Sequence, residues 1–314
     1  MRALLDRLAP LLWPLAIANL LANIGIVVTG GAVRLTGSGL GCPTWPRCTD
    51  ASYVPHGELG VHGAIEFGNR LLTFALSAVA LLCFLAALGA AHRRATRLSL
   101  LVGLGIPLQA VMGGITVLTD LNPWIVAGHF LLSMAMVMVC VALLDELRSP
   151  DRGAAPPLPR ALAWATFAAG WVALYLGTVV TGAGPHAGDT ESPRNGLDPA
   201  IVSQVHATSV YVLVALTVAL LVVALRGGHR WLARVTGLVL VIELLQGVLG
   251  WVQYELDLPV LLVALHMLGA ALLAAGLARI ALAVLPHRAG LEAHAGGEPQ
   301  PHAATRLTQP SPGP

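Results

Sequence analysis

Eight runs of about 20 mainly apolar residues dominate this chain, each long enough as a helix to cross a hydrocarbon core of about 30 Å, and they leave it little choice of fold. They fall near residues 11–31, 64–90, 98–118, 124–144, 161–183, 200–225, 235–253 and 259–284. Composition agrees: 56% of the 314 residues are hydrophobic and only 11% are charged, far too apolar for a soluble globule. The bilayer is the solvent, and an all-α integral membrane fold with eight transmembrane helices is expected. The opening "MRALLDRLAPLLWPLAIANLLANIGIVV" has a basic start but no small-residue cleavage site before the next polar stretch, so it reads as an uncleaved first span.

Arginine sets the orientation. Arg2 and Arg7, Arg93, Arg94 and Arg97, Arg148, Arg152 and Arg160, Arg226, Arg230 and Arg234, and Arg279 and Arg288 all fall on one side of the eight spans, leaving Arg34, Arg47 and Arg194 in loops on the other. Positive charge is retained on the cytoplasmic face, so both termini are expected there. Loops 34–60 and 184–199 are then the long external connections. The net charge is only +2, and no arginine run forms a stripe that would follow a phosphate backbone. Membrane lipid is the expected surrounding and nucleic acid is not a partner; the sequence leaves room for self-association.

The chain repeats itself. "PLQAVMGGITV" (107–117) superposes without a gap on "LLQGVLGWVQY" (244–254), pairing Gln109 with Gln246 and Gly113 with Gly250, and the same register carries His129 onto His266. "VVTGGAVRLTGSG" (27–39) has a shorter echo in "VVTGAGPHAGD" (179–189). These matches divide the chain into an N-terminal four-helix half (1–147), a cytoplasmic linker (148–157), a C-terminal four-helix half (158–286) and a tail (287–314) whose Pro, Gly and His content predicts disorder. Four spans per half is an even number, so the halves share one orientation; two tandem four-helix bundles in a parallel pseudo-twofold repeat are expected.

Cys42 and Cys48 lie in the first external loop, within "GLGCPTWPRC", in a compartment that permits disulfides. A bridge between them would be either a loop staple or a dithiol that cycles. Cys83 and Cys140 sit inside spans, where a free cysteine is ordinarily a packing residue.

Ionisable side chains inside a span are costly and tend to face the bundle interior with a task. Glu66, His129, His206 and His266 qualify, all towards the external ends of their spans. His206 and His266 come from different helices of the second half at matched depth, as two axial ligands of a haem iron require. In the register that pairs His129 with His266, the counterpart of His206 is Asn69, so the first half offers His129 on one side and an amide, a poor iron ligand, on the other. Glu66 shares that face, one helical turn before Asn69. His62, two turns before Asn69, is a candidate for the missing imidazole. A haem held by His129 alone would have an open side for chemistry, whereas a doubly ligated one serves electron transfer.

Taken in order, "VVTGGAVRLTGSGLGCPTWPRC" (27–48), "AIEFGNRLLTF" (64–74), "GHFLLSM" (128–134), "QVHATSVYVLV" (204–214) and "LHMLGAALL" (265–273) resemble the haem A synthases, over about residues 15–285. The resemblance implies an oxidoreductase that converts the C8 methyl of haem O into the formyl group of haem A by successive hydroxylations, for delivery to the terminal cytochrome oxidase. It implies a haem b, with its iron between His206 and His266, and a substrate haem bound in the first half at His129, with Glu66 as the essential carboxylate. Cys42 and Cys48 match the family's external cysteine pair. Haem O synthase and cytochrome oxidase assembly proteins are the partners it implies. The chain departs from the family where Asn69 replaces the histidine of an "ExxH" arrangement, and where the loop "GPHAGDTESPRNGLDP" lacks a second cysteine pair.

On this reading Glu66 accepts a proton as the methyl carbon is oxidised, and Arg34 and Arg70 neutralise haem propionates near the outer face. Two other classes fit less: a non-catalytic membrane cytochrome b carrying electrons between external thiols and a quinone, and a parallel-repeat transporter, for which broken helices near the midplane are expected instead.

Overall fold

The computed structural model describes residues 2–287, so the tail expected beyond His287 lies outside the described residues. Nine α-helices account for most of them: α1 (Arg2–Leu8), α2 (Leu12–Leu35), α3 (Gly60–Gly89), α4 (Arg93–Leu118), α5 (Pro123–Arg148), α6 (Pro157–Ala183), α7 (Pro199–Arg226), α8 (Arg230–Glu255) and α9 (Val260–Ala283). A single 3-10 turn, Ala9–Leu11, separates α1 from α2, and the two together form the first of eight helical segments long and apolar enough to cross a membrane.

Local sequence explains the helix ends. Proline supplies the pre-set φ of a first helical residue in α5, α6 and α7. The side chain of Asn122 accepts a hydrogen bond from Trp124 N, and that of Asp198 accepts from Ala200 N and Ile201 N, which meets donors the first turn leaves unpaired. The tight connections α4–α5 and α8–α9 turn through the same two left-handed residues, Asp120 (φ 51°) with Leu121 (φ 59°) and Asp257 (φ 57°) with Leu258 (φ 59°), again in the register of the sequence repeat.

In the first half α2 packs on α3, α3 on α4, α4 on α5 and α5 back on α2, closing a four-helix ring. The corresponding pairs α6–α7, α7–α8, α8–α9 and α9–α6 close the second. The rings meet through α5 against α9, flanked by α2 against α9 and α5 against α6. One apolar cluster, including Met134, Val137, Leu213, Leu220, Leu277 and Ile280, runs through this junction. Close approach depends on small residues: a Cβ at Gly170 would sit 2.3 Å from Leu277 Cδ1, and one at Gly276 2.6 Å from Val239 Cγ2.

At the arginine-rich end, Asp145 of α5 is 4% exposed and accepts hydrogen bonds from Arg152, from Arg279 of α9 and from Ser149. Arg152 also donates to Leu282 O and Leu285 O, while its backbone pairs with that of His287 at 2.9 Å in both directions. The segment after α5 is thereby fastened beneath the second ring. His287, which composition assigned to the tail, is buried there.

Candidate functional site

Within the second ring α7 and α9 stand diagonally, each bordered by both α6 and α8. His206 and His266 each lie about two turns into their helices, α7 and α9, so both imidazoles sit about 10 Å from the same end of the bundle. Each rests on a glycine of a flanking helix. A Cβ on Gly177 of α6 would come within 3.3 Å of His206 Cε1, and a Cβ on Gly250 of α8 within 3.3 Å of His266 Cε1. The Nδ1 atoms of both rings are buried without a hydrogen-bond partner among the described residues. Among the described residues no three His, Cys, Asp or Glu side chains gather as metal ligands. Two imidazoles borne at one depth on diagonal helices suit a metal that brings its other donors with it, as a porphyrin does. The paired rings, the side-chain-free glycine seats and the orphaned nitrogens fit such a group.

The first ring repeats the diagonal with α3 and α5. His129 lies about two turns into α5, over Gly113 of α4, where a Cβ would be 3.5 Å from Cε1, and its Nδ1 is likewise unpartnered among the described residues. The turn that carries it is braced from α4: Gln109 Nε2 donates to Ser133 Oγ at 2.6 Å and to His129 O at 3.3 Å. On α3 the diagonal position holds Asn69, whose Oδ1 accepts from Thr29 Oγ1 of α2 at 2.8 Å. His62 is exposed at the first turn of α3, with Nδ1 2.9 Å from Ser38 Oγ. It belongs to the outer rim of the ring.

Between rim and interior lies a bonded cluster that joins α3 to the first external loop. Glu66 is 6% exposed; its Oε2 accepts from Cys42 N at 2.6 Å and its Oε1 from Arg70 Nη2 at 2.5 Å and Nε at 3.1 Å. Arg70 donates further to Cys42 O, Thr44 O and Arg47 O at 3.1–3.2 Å. These carbonyls span the ring closed by the Cys42–Cys48 disulfide, which is formed as expected. Trp45, inside that ring, is inserted against α4: a Cβ on Gly114 would lie 2.3 Å from its indole Cδ2. The loop thus caps the first bundle, and Arg70 is the bolt that holds it.

Arg34, at the end of α2, points to the other half. It donates to His186 O and, at 2.9 Å, to Thr181 O, and Gly39 N bonds Gly188 O at 2.8 Å, so the two long loops are sewn together. The guanidinium groups of Arg34 and Arg70, expected to face haem propionates, are both engaged with backbone carbonyls.

Two buried ionisable residues, Asp145 and Glu243, escaped the sequence reading. Glu243 of α8 is 2% exposed, accepts from Thr217 Oγ1 at 2.8 Å, and leaves Oε2 without a partner among the described residues. Its signal was a lone acidic letter in "VIELL", of the same kind that exposed Glu66.

Residues 14–64 and 59–190 match the family described as cytochrome oxidase assembly protein. That range takes in the disulfide loop, Glu66, Asn69 and His129. Curated relatives include a Heme A synthase of Bacillus cereus and one of Bacillus anthracis, each 35% identical over 142 residues, covering 43% of this chain and 44% of the relative. The match thus spans less than half the length of these relatives.

Proposed function

The chain belongs to the cytochrome oxidase assembly protein family, and on that premise we propose that it is a haem A synthase, oxidising the C8 methyl of haem O to the formyl group of haem A. The observation that carries this reading is the diagonal imidazole pair of the second ring, seated on glycines, beside a first ring that keeps one such imidazole and lacks the other.

His206 and His266 would hold a haem b, which when bound supplies one-electron transfer. Their seats on Gly177 and Gly250 fix the ring planes, so that a donor nitrogen is presented without a rotamer search. In the first ring His129 binds the substrate haem from one side. Glu66 is the proposed catalytic carboxylate: it takes up the proton lost from the methyl C–H as a one-electron acceptor removes the electrons and water supplies the oxygen, and Arg70 offsets the charge it carries beforehand. The disulfide loop, with Trp45 over Gly114, keeps bulk water from the outer mouth.

The protein would work in a bacterial plasma membrane with its arginine-rich end in the cytoplasm and its disulfide loop outside. Haem O synthase upstream and oxidase assembly proteins downstream are its proposed partners. The test is pigment extraction from membranes that carry this chain together with a source of haem O. Haem A is expected, and its absence alongside an intact haem b spectrum would leave an electron-carrying cytochrome instead. Glu66→Gln should abolish haem A while preserving haem b; undiminished conversion would remove Glu66 from the mechanism.

A further inference from the structure

We infer that Asn69, clamped by Thr29, is the hydrogen-bond donor of an open binding face opposite His129, where a small ligand such as water, hydroxide or another compact anion is held against the substrate. The inference rests on the reading that the first ring binds a haem on His129, and it identifies what occupies the other side.

Three observations lead there. The first is a seat without an occupant. "GIVVTG" (25–30) of α2 corresponds to "GTVVTG" (177–182) of α6, so Gly25 corresponds to Gly177, the glycine on which His206 rests. A Cβ on Gly25 would meet nothing within 4 Å, whereas one on Gly177 would meet His206 at 3.3 Å. Where the second ring has an imidazole against the helix backbone, the first has open space at the corresponding glycine.

The second is the direction of the Asn69 amide. Its Oδ1 already accepts from Thr29 Oγ1 at 2.8 Å, while its Nδ2 lies 3.9 Å from a Cβ built on Gly30 and makes no hydrogen bond with any described residue. An amide nitrogen has no lone pair to give a metal, but it carries two N–H donors. Thr181, which corresponds to Thr29, bonds Gly177 O of its own helix instead. Thr29 Oγ1 also reaches Ile26 O of its own helix at 3.3 Å, but unlike Thr181 it bonds across to α3, at the carbonyl end of Asn69.

The third is that the stronger lone-pair donors on the same face of α3 are committed elsewhere. Glu66 is anchored towards the external loop by Cys42 N and Arg70, keeping a lone pair on Oε2 for the proton it takes up, and His62 is bound at the rim through Ser38. What remains on that face is the amide N–H of Asn69, beside a Gly25 that no side chain covers. A group of that kind selects a small acceptor and orients it.

The experiment uses the full chain, purified and loaded with ferric haem, and read by absorption and electron paramagnetic resonance. Wild type should show one low-spin haem from the second ring and one high-spin haem from the first. Azide should convert only the high-spin signal. Asn69→Leu should weaken azide binding about tenfold, the loss expected for one hydrogen bond to a charged ligand, and Thr29→Val should weaken it less. Asn69→His should fill the open space, turning the high-spin signal low-spin and ending the azide response. The low-spin signal of the second ring reports that each variant is folded. Two low-spin haems in wild type, or unchanged azide affinity in Asn69→Leu, would overturn the inference. Unchanged haem content in His129→Ala would instead overturn the reading of the first ring itself, and the inference with it.

Discussion

Gly177 and Gly250 show how much of this site is made by residues that carry no chemistry. At either position an added Cβ would stand 3.3 Å from an imidazole carbon, close enough that the ring must yield by a few tenths of an ångström. Gly250→Ala is expected to keep the low-spin haem absorption, whereas Gly250→Leu should displace His266 and remove most of it. Gly113→Leu is the parallel change in the first ring and should affect only the high-spin component. Absorption of the purified variants at matched protein concentration checks all three. The histidines were legible in the sequence because a polar letter inside an apolar run stands out, and Asn69 was legible through the repeat. Their glycine seats were not, because a glycine in a membrane helix reads the same whether it packs against a neighbouring backbone or lies beneath a ligand. The carbonyl groups that surround Arg34 and Arg70 were not legible, since loop carbonyls leave no mark in side-chain pattern.

The disulfide loop is an element built from long-range bonds, and its weakest point is a single side chain. Arg70 alone donates to Cys42 O, Thr44 O and Arg47 O, and it pairs with the carboxylate that receives Cys42 N. Arg70→Met keeps the apolar stem and deletes these bonds. The Cys42–Cys48 bridge should then be reduced several-fold faster by an external dithiol, as measured by maleimide labelling, while Cys83 and Cys140, both fully buried, stay unlabelled in folded protein. Equal reduction rates would show that the loop is held by something else. The helices themselves were legible from length and apolarity, with ends that reach past the apolar runs: α3 starts at Gly60 instead of 64 and α4 at Arg93 instead of 98. Helical hydrogen bonding continues into the interface, where polar residues are tolerated. The folding of residues 36–56 back onto α3 and α4 has no periodic signal, and only the cysteine pair hinted at it.

At the scale of the molecule, two polar fastenings at opposite ends hold the rings together. Near the loops Arg34 of the first half grips the segment after α6, and at the arginine-rich end Asp145 of α5 gathers Arg152 and Arg279. Asp145→Asn leaves two partly buried guanidinium groups without their carboxylate and is expected to cost about 3 kcal/mol or more. The checking measurement is the midpoint of thermal loss of the haem b spectrum. Ser149→Ala, which removes one hydrogen bond, should cost about 1 kcal/mol. The two halves were visible in the sequence as a repeat, yet the face by which they meet was not, because nothing in a run of Ala, Leu and Val says which of its sides will find lipid and which another helix.

Trp45 on Gly114 separates the fates of the two rings. The counterpart of Gly114 in the second half is Trp251, which is 66% exposed and fixed to its own helix. A stopper borne by a loop can be drawn without unwinding anything, whereas an aromatic rooted in a helix cannot. On the proposed function, with one cargo to exchange and one pigment to keep, traffic would then pass through the corked chamber, and the rate of uncorking, set by a tryptophan and the loop's grip on Arg70, would limit how fast each porphyrin is replaced by the next.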